Sequence, residues 1–141
     1  MIREANMNDI QVLAELMGDL DYPTEVENME KRFVRIHNHP DYHTLIYEVE
    51  EGVIGMIGMI RAYRYEHDLP YVRVVSMVVK ESQRGQGVGR DLLKAAEAWA
   101  KDQSCHMLTL NSGNREERQK AHKFYERNGY VGSATGYYKK L

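Results

Sequence analysis

A strand-like apolar segment that runs into a glycine-rich turn most constrains what this 141-residue chain can fold into. The strand is predicted over Val72–Val79, and three glycines follow at Gly85, Gly87 and Gly89. Behind them, apolar residues recur at helical spacing on one face, namely Val88, Leu92, Ala96, Trp99 and Ala100. Glycines at a helix N-terminus leave the main-chain N–H groups accessible to an anion, and the positive end of the helix dipole adds to the attraction. The turn therefore predicts a phosphate-binding site, and the alternative is a tight strand-to-helix turn without a ligand.

The spacing of the glycines excludes two common phosphate loops. A P-loop needs Gly-Lys-Ser/Thr after four intervening residues, whereas Arg90 and Asp91 follow Gly89 here. A dinucleotide fingerprint needs G-x-G-x-x-G, and Gly89 comes one residue too early for the third glycine.

The pattern Arg84-x-x-Gly87-x-Gly89 resembles the Gln/Arg-x-x-Gly-x-Gly/Ala signature of the GNAT acetyltransferase family, whose loop holds the pyrophosphate of acetyl-CoA. Downstream, Ala121 through Tyr125 and then Asn128-Gly129-Tyr130 are similar to the family's closing helix and its stop. Alone, Tyr125 reads as a core tyrosine of an amphipathic helix. Two motifs in the family's order favour the family role. The block 111–125 is similar to bacterial small-molecule acetyltransferases, including the aminoalkylphosphonate type.

Length and composition favour a single domain over residues 1–141. The formal charge of -2 and a pI near 6.3 argue against a nucleic-acid partner, because no segment carries a dense basic excess. Apolar runs are strand-sized, Met1-Ile2-Arg3-Glu4 shows no signal-peptide pattern, and Cys105 is the only cysteine. We therefore expect a cytoplasmic protein with no membrane partner.

The segments alternate in the order β-α-α-β-β-β-α-β-α-β, which is the order expected of the GNAT fold. This predicts an α/β protein with a mixed sheet, and the resemblance implies that the fourth and fifth strands splay apart. The predicted strands are 1–5, 43–50, 53–65, 72–79, 107–111 and an edge strand at Tyr137-Tyr138-Lys139-Lys140. The predicted helices are one capped by Asn6, one near 25–38 with a Thr24/Glu27 capping box, one after the glycine turn and one near 115–128.

The resemblance implies acetyl-CoA as co-substrate, and it assigns cofactor contacts residue by residue. The implied set is Met77, Val78, Val79, Arg84, Gly85, Gln86, Gly87, Val88, Gly89, Arg90, Asn114 and Tyr125. Met77 and Val79 would act through their backbones on the acetyl carbonyl and the pantetheine amides. The family often places an asparagine where Arg118 stands here, and Asn114 alternatively caps the closing helix.

The implied reaction is direct transfer of an acetyl group to a primary amine, without a covalent enzyme intermediate. Tyr125 is the implied acid for the departing thiolate, because a tyrosine with a pKa of about 10 stays protonated near pH 7. The general base stays open. The fourth-strand glutamate that serves as a base in some relatives is missing from Arg73-Val74-Val75-Ser76, and the candidates are a water chain, Glu66, His67 and Asp21.

Other side chains suggest further hypotheses. Cys105 is predicted to be a buried structural thiol. The spacing of His37, His39 and His43 does not favour a metal site, and no metal is expected. Residues 63–65 and 19–22 together are predicted to form a wall for the acceptor amine.

These features are compatible with three functions: an N-acetyltransferase for a small-molecule amine or a protein, a non-catalytic acyl-CoA-binding or sensing domain, and an interaction domain. A homodimer through the tyrosine-rich C-terminal strand is a further expectation.

Overall fold

The computed structural model describes residues 1–112 and 119–141. Two compact units make up the chain, Met1–Thr109 and Leu110–Leu141. The single domain over residues 1–141 stays a prediction.

Strands and helices alternate in the described residues as the sequence predicts, up to the closing helix. The strands are β1 (Ile2–Glu4), β2 (Tyr42–Val49), β3 (Gly52–Ala62), β4 (Tyr71–Val79) and β5 (Leu108–Leu110). The helices are α1 (Ile10–Asp19), α2 (Val26–His37), α3 (Val88–Asp102) and α4 (Gln119–Arg127). Short 3₁₀ turns lie at Met7–Asp9 and Glu81–Gln83.

The five strands form one mixed sheet in the order β1-β2-β3-β4-β5, which confirms the predicted α/β class. β1 to β4 pair antiparallel in sequence order. β5 lies beside the start of β4, where the Val72 amide donates to the Met107 carbonyl at 2.9 Å. Because β5 has three residues and β4 has nine, the pairing covers only part of β4.

Helices cover the two faces of the sheet in the first unit. A Cβ on Gly55 would lie 3.2 Å from both Leu92 Cδ1 and Val88 Cγ1, so this glycine lets α3 approach β3 closely. The next residue along β3, Met56, points to the opposite face, where it joins a core that includes Leu13 of α1 and Phe33 of α2. One face of the sheet therefore belongs to α3, and the other to α1 and α2.

A β-bulge interrupts β4 at Val75. On β3 the consecutive residues Gly58 and Met59 pair with Ser76 and Val74, so Val75 is an extra residue. The bulge reverses the alternation of β4, which puts Val74 in the core while Val75 is 48% exposed.

The two predicted helix caps near the N-terminus had different outcomes. Asn6 caps the 3₁₀ turn Met7–Asp9, which leads into α1, since its side chain accepts from the Asn8 amide at 2.8 Å; α1 itself begins after Asp9, which makes no side-chain cap. The Thr24/Glu27 capping box is wrong. The Thr24 hydroxyl donates instead to the Tyr22 carbonyl at 2.7 Å, and α2 begins only after Glu25, which makes no side-chain cap.

The second unit contains α4 and the C-terminal segment. Gly129 has a φ of +89° and its amide donates to the Glu126 carbonyl, which confirms the predicted left-handed helix stop. The predicted strand Tyr137-Tyr138-Lys139-Lys140 is wrong, because residues 131–141 form no strand or helix. These residues are all exposed, so the segment buries no apolar face that could support a strand.

Candidate active site

The glycine turn joins the end of β4 to the N-terminus of α3. Gly85 and Gly87 have φ values of +82° and +85°, in the left-handed region that favours glycine. Gly87 is the N-cap of α3, and no side chain of the described residues caps this helix. The Asp91 amide is the first that bonds back into the helix, to the Gly87 carbonyl. The amides of the first turn, from Val88 to Arg90, are therefore available to an anion.

The side chain of Arg84 ties this turn to two other parts of the first unit. Its Nε donates to the Val79 carbonyl at 3.2 Å, and its Nη2 donates to the Asp19 carbonyl at 3.1 Å. Asp19 is the last residue of α1. The end of β4, the glycine turn and the C-terminus of α1 therefore meet at this guanidinium.

A second guanidinium lies over the turn. A Cβ on Gly87 would lie 2.9 Å from Arg90 Nη2, so the Arg90 side chain folds back across this glycine. Arg90 is exposed, and its Nε lies 3.6 Å from Asp91 Oδ1. The turn thus combines helix amides with cationic side chains, which suits a phosphate group.

Beside the turn, the last residues of β4 present backbone groups away from β3. The Lys80 amide donates to the Ile54 carbonyl, so the alternation of an antiparallel ladder points Val78 toward β3 and points Met77 and Val79 away from it. The bond from Arg84 Nε to the Val79 carbonyl agrees with that direction. The side chain of Val78 is buried, whereas Met77 and Val79 are half-buried.

The second motif lies on α4 in the other unit. Ala121, Phe124, Tyr125 and Asn128 are all half-buried, as the predicted helical stripe requires. The ring of Tyr125 packs edge-on against Phe124 and Tyr130, at centroid distances of 5.3 and 6.2 Å. These two rings fix the orientation of Tyr125 on its helix. Asn114 and Arg118, the two candidates for an additional cofactor contact, lie outside the described residues.

The predicted acceptor wall does not form as one surface. Arg64 lies over the ring of Tyr71, 4.1 Å from its centroid, so the segment 63–65 belongs to the start of β4. The segment 19–22 lies at the end of β4, next to Arg84. Nine residues of strand, roughly 27 Å in length, separate these positions.

The candidates for the general base also lie at opposite ends of β4. Glu66 Oε1 is 3.9 Å from Arg64 Nη1, and His67 stacks on His106 with the ring centroids 3.6 Å apart. The His106 amide donates to the Pro70 carbonyl, so both candidates lie with the start of β4. Asp21 follows the C-terminus of α1, on the side of the glycine turn.

The histidines that suggested a metal have separate aromatic partners. His37 stacks on Phe33, His39 contacts the edge of Tyr42, and His43 stacks on Trp99. Over residues 1–112 and 119–141, no group of three or more His, Cys, Asp or Glu side chains is placed to hold a metal ion.

Cys105 is half-buried rather than buried, and it precedes β5. Burial raises the pKa of its thiol, which keeps the group protonated and unreactive. A structural thiol therefore describes this residue better than a nucleophile.

Sequence reasoning missed the bulge at Val75 and the side-chain role of Arg84. No local signal marks the bulge, because adjacent apolar residues also occur at Met77-Val78-Val79, where the pairing with β3 is regular. The contact of Arg84 with Asp19 joins residues 65 positions apart, which no local pattern reports.

Comparison with known proteins agrees with this architecture. Residues 10–130 match the model of the "Acetyltransferase (GNAT) family". An aminoalkylphosphonate N-acetyltransferase of Salmonella typhimurium is 29% identical over 126 residues, covering 89% of this chain and 78% of that protein. A solved GNAT family acetyltransferase of Staphylococcus aureus is 35% identical with a TM-score of 0.86, covering 100% of this chain and 98% of the other. A putative acetyltransferase of Agrobacterium tumefaciens has a TM-score of 0.90 at 21% identity, covering 100% and 99% of the two chains.

The chain therefore belongs to the GNAT acetyltransferase family. It is an acetyl-CoA-dependent N-acetyltransferase, and acetyl-CoA is the co-substrate of the family. Within the described part of the chain, every helix is too short or too polar to cross a membrane.

Proposed function

We propose that this acetyltransferase moves the acetyl group of acetyl-CoA directly to the primary amine of a small molecule. The observation that carries the proposal is the N-terminus of α3, where two glycines with positive φ precede a helix that no described side chain caps. A Cβ on Gly85 would meet no atom within 4 Å, so the space beside this glycine is open. The residues at the turn thus fit the pyrophosphate of the co-substrate.

Each cofactor contact that the resemblance implies has a role in this proposal. The amides from Gly85 to Arg90, including Gln86 and Gly89, bind the pyrophosphate, and the guanidinium of Arg90 adds positive charge. The Arg84 amide donates to the Glu81 carbonyl at 3.4 Å, so Arg84 contributes through its side chain, which holds the turn. The outward backbone groups of Met77 and Val79 bind the acetyl carbonyl and the pantetheine amides. Val78 supports that edge by packing in the core with α1 and α2. Asn114 remains a proposed contact as well.

Bound acetyl-CoA supplies a thioester, whose carbonyl carbon accepts the amine nitrogen as the carbon–sulfur bond breaks. The Met77 amide donates to the carbonyl oxygen as negative charge builds there. Tyr125 donates its phenolic proton to the departing sulfur, and the proton lost by the amine passes to water or to a base such as Asp21. Solvent then returns a proton to Tyr125, which restores the starting state.

A small-molecule acceptor is supported by the similarity to a Salmonella enzyme whose name specifies an aminoalkylphosphonate. Acetylation of a protein N-terminus is the second candidate function, and a peptide N-terminus is therefore included among the acceptors tested. A cytoplasmic location and a homodimer through the exposed C-terminal segment remain predictions.

Thermal denaturation with increasing acetyl-CoA tests the binding step. We expect saturable stabilisation by acetyl-CoA and by CoA, but not by pantetheine alone, which lacks the diphosphate. Release of free thiol is then followed with polyamines, amino sugars, amino acids, aminophosphonates and a peptide N-terminus. Turnover of the peptide alone would contradict a small-molecule acceptor, and absence of stabilisation by either nucleotide would contradict the binding site.

A further inference from the structure

A polar patch lies on the sheet face that α1 and α2 share, beside the proposed acetyl position. Gly58 of β3 points to this face because Met56, two residues earlier, does so. Its partner Ser76 therefore shares the face, and a Cβ on Gly58 would lie 3.8 Å from Val75 Cγ2. Ile60 pairs with Arg73 in the next row, so Arg73 also belongs to this side.

This patch is open, unlike the opposite face. Val75 is 48% exposed and Arg73 is exposed, whereas Val72, Val74 and Met59 are buried on the side of α3. An amine that approaches Met77 therefore has room on the face with Arg73. The approach from the other face is filled by the packing of α3.

Two polar groups of the patch lack partners in the described residues. The Oγ of Ser76 is buried and makes no hydrogen bond there. Within the same residues, the exposed Arg73 guanidinium makes no hydrogen bond or salt bridge. A hydroxyl and a guanidinium on one face, both able to donate, match the oxyanion of a carboxylate or phosphonate.

The charge around Arg73 is also positive. Tyr71, two residues before Arg73 on the same face, holds the guanidinium of Arg64 over its ring. The carboxylate near Arg64 is that of Glu66, which is exposed and 3.9 Å away. No carboxylate stands on the described part of β4 itself.

We propose that Arg73 determines acceptor specificity by binding an anionic group on the same small molecule that carries the amine. The inference rests on the proposed function, since it uses the acetyl position at Met77. Arg73 and Met77 are four residues apart, roughly 12 Å along the strand, and the long Arg73 side chain shortens the gap to the span of an amino acid-sized molecule. The acceptor is therefore an acidic amine, and Ser76 adds a hydrogen bond to its oxyanion.

Matched acceptors test this directly: 2-aminoethylphosphonate, β-alanine and propylamine, which share a primary amine on a short chain. In the wild type we expect kcat/KM to be higher for the acidic amines than for propylamine. In Arg73→Gln, the ratio of acidic amine to propylamine should fall about 10- to 100-fold, mainly through KM, because a charge-assisted contact is lost. Arg73→Lys should recover part of the ratio. The acidic amine with the larger loss identifies the preferred oxyanion.

Arg35→Gln is the matched control, because Arg35 is an exposed arginine of α2 and its loss changes the net charge equally. An unchanged ratio in Arg73→Gln, or an equal change in Arg35→Gln, would overturn the proposal. Calorimetric titration of both acidic amines into the CoA-bound protein gives a readout independent of turnover. Saturable binding that Arg73→Gln loses supports the proposal, and absence of wild-type binding refutes it. Stabilisation by acetyl-CoA in the same preparations shows separately whether the proposed function stands.

Discussion

The guanidinium of Arg84 donates a hydrogen bond to the carbonyl oxygen of Asp19, at 3.1 Å from Nη2. The acceptor is the last residue of α1, where unsatisfied carbonyls give the helix end a partial negative charge. A cation is therefore stabilised there. The same side chain also donates to the Val79 carbonyl, so it links the glycine turn before α3 to α1, which lies on the other face of the sheet.

Loss of this link should weaken the binding of acetyl-CoA. We expect Arg84→Ala to raise the KM for acetyl-CoA about 3- to 10-fold, because the turn loses two hydrogen bonds that order it. The change in melting temperature should be small, since Arg84 is exposed. Arg84→Gln is the conservative control, and its KM for acetyl-CoA should lie between those of the wild type and Arg84→Ala. An unchanged KM in Arg84→Ala would contradict an ordering role.

A side chain at Gly87 should damage the turn. The φ of +85° disfavours any L-residue, and a Cβ would meet Arg90 Nη2 at 2.9 Å. We expect Gly87→Ala to lower the free energy of unfolding by about 1–2 kcal/mol and to reduce the affinity for acetyl-CoA. Urea titration and calorimetry measure the two effects.

Gly18→Ala is the control for that substitution. Gly18 lies inside α1, no atom would contact its Cβ within 4 Å, and its φ is ordinary. Alanine there should be neutral or slightly stabilising. If both variants behaved alike, the left-handed backbone would not be what Gly87 supplies.

Removal of the Tyr125 hydroxyl should slow the chemical step. For Tyr125→Phe we expect kcat to fall about 100-fold while the KM for acetyl-CoA changes little, because the ring packing against Phe124 and Tyr130 is kept. The assay is thiol release under saturating co-substrate. Tyr137→Phe, at a tyrosine that is 92% exposed, should leave kcat unchanged. Equal kcat values for Tyr125→Phe and the wild type would exclude Tyr125 as the acid.

His43 should make the protein less stable in mild acid. Burial lowers its pKa below the ordinary value of 6.5, and Glu4, 3.9 Å away, opposes this only weakly. As the pH falls below 6.5, His43 therefore takes up a proton in the unfolded chain while it stays neutral in the folded chain. The contribution of neutral His43 to the free energy of unfolding is fully present above pH 6.5 and is lost as the pH falls through the pKa of His43 in the folded protein.

Urea unfolding followed by the fluorescence of Trp99, on which His43 stacks at 4.7 Å, measures this effect between pH 7.5 and 5. His43→Phe keeps a ring on Trp99 and should flatten the dependence. The slope that remains should come from His106, whose pKa is also lowered by burial and by the neighbouring His67. A slope in His43→Phe as steep as in the wild type would rule out His43 as its source.

Much of the candidate site could be predicted because its signals are local. The left-handed conformations of Gly87 and Gly129 follow from glycine chemistry at helix ends, and the stripe through Tyr125 follows from helical spacing. The final strand could not be settled in this way. Tyr137 and Tyr138 favour a strand, but a strand also needs a paired neighbour and a buried face.

The acceptor side depends instead on which distant segments meet. In the sequence, Arg73 only belongs to a segment that lacks the carboxylate of some relatives, and the pairing of β4 with β3 is what shows that it shares a face with Ser76. The bulge at Val75 produces that arrangement, since one extra residue reverses the faces of the strand before it.

The sequence by itself determined the elements up to the closing helix, the glycine turn and the family, because backbone preferences and helical periodicity act over a few residues. The tertiary structure decided that Arg84 binds Asp19, that residues 63–65 and 19–22 lie at opposite ends of β4, and that an arginine faces the open side of the sheet. Those relationships arise from strand register and helix packing, in which residues distant in the chain meet according to the fold as a whole.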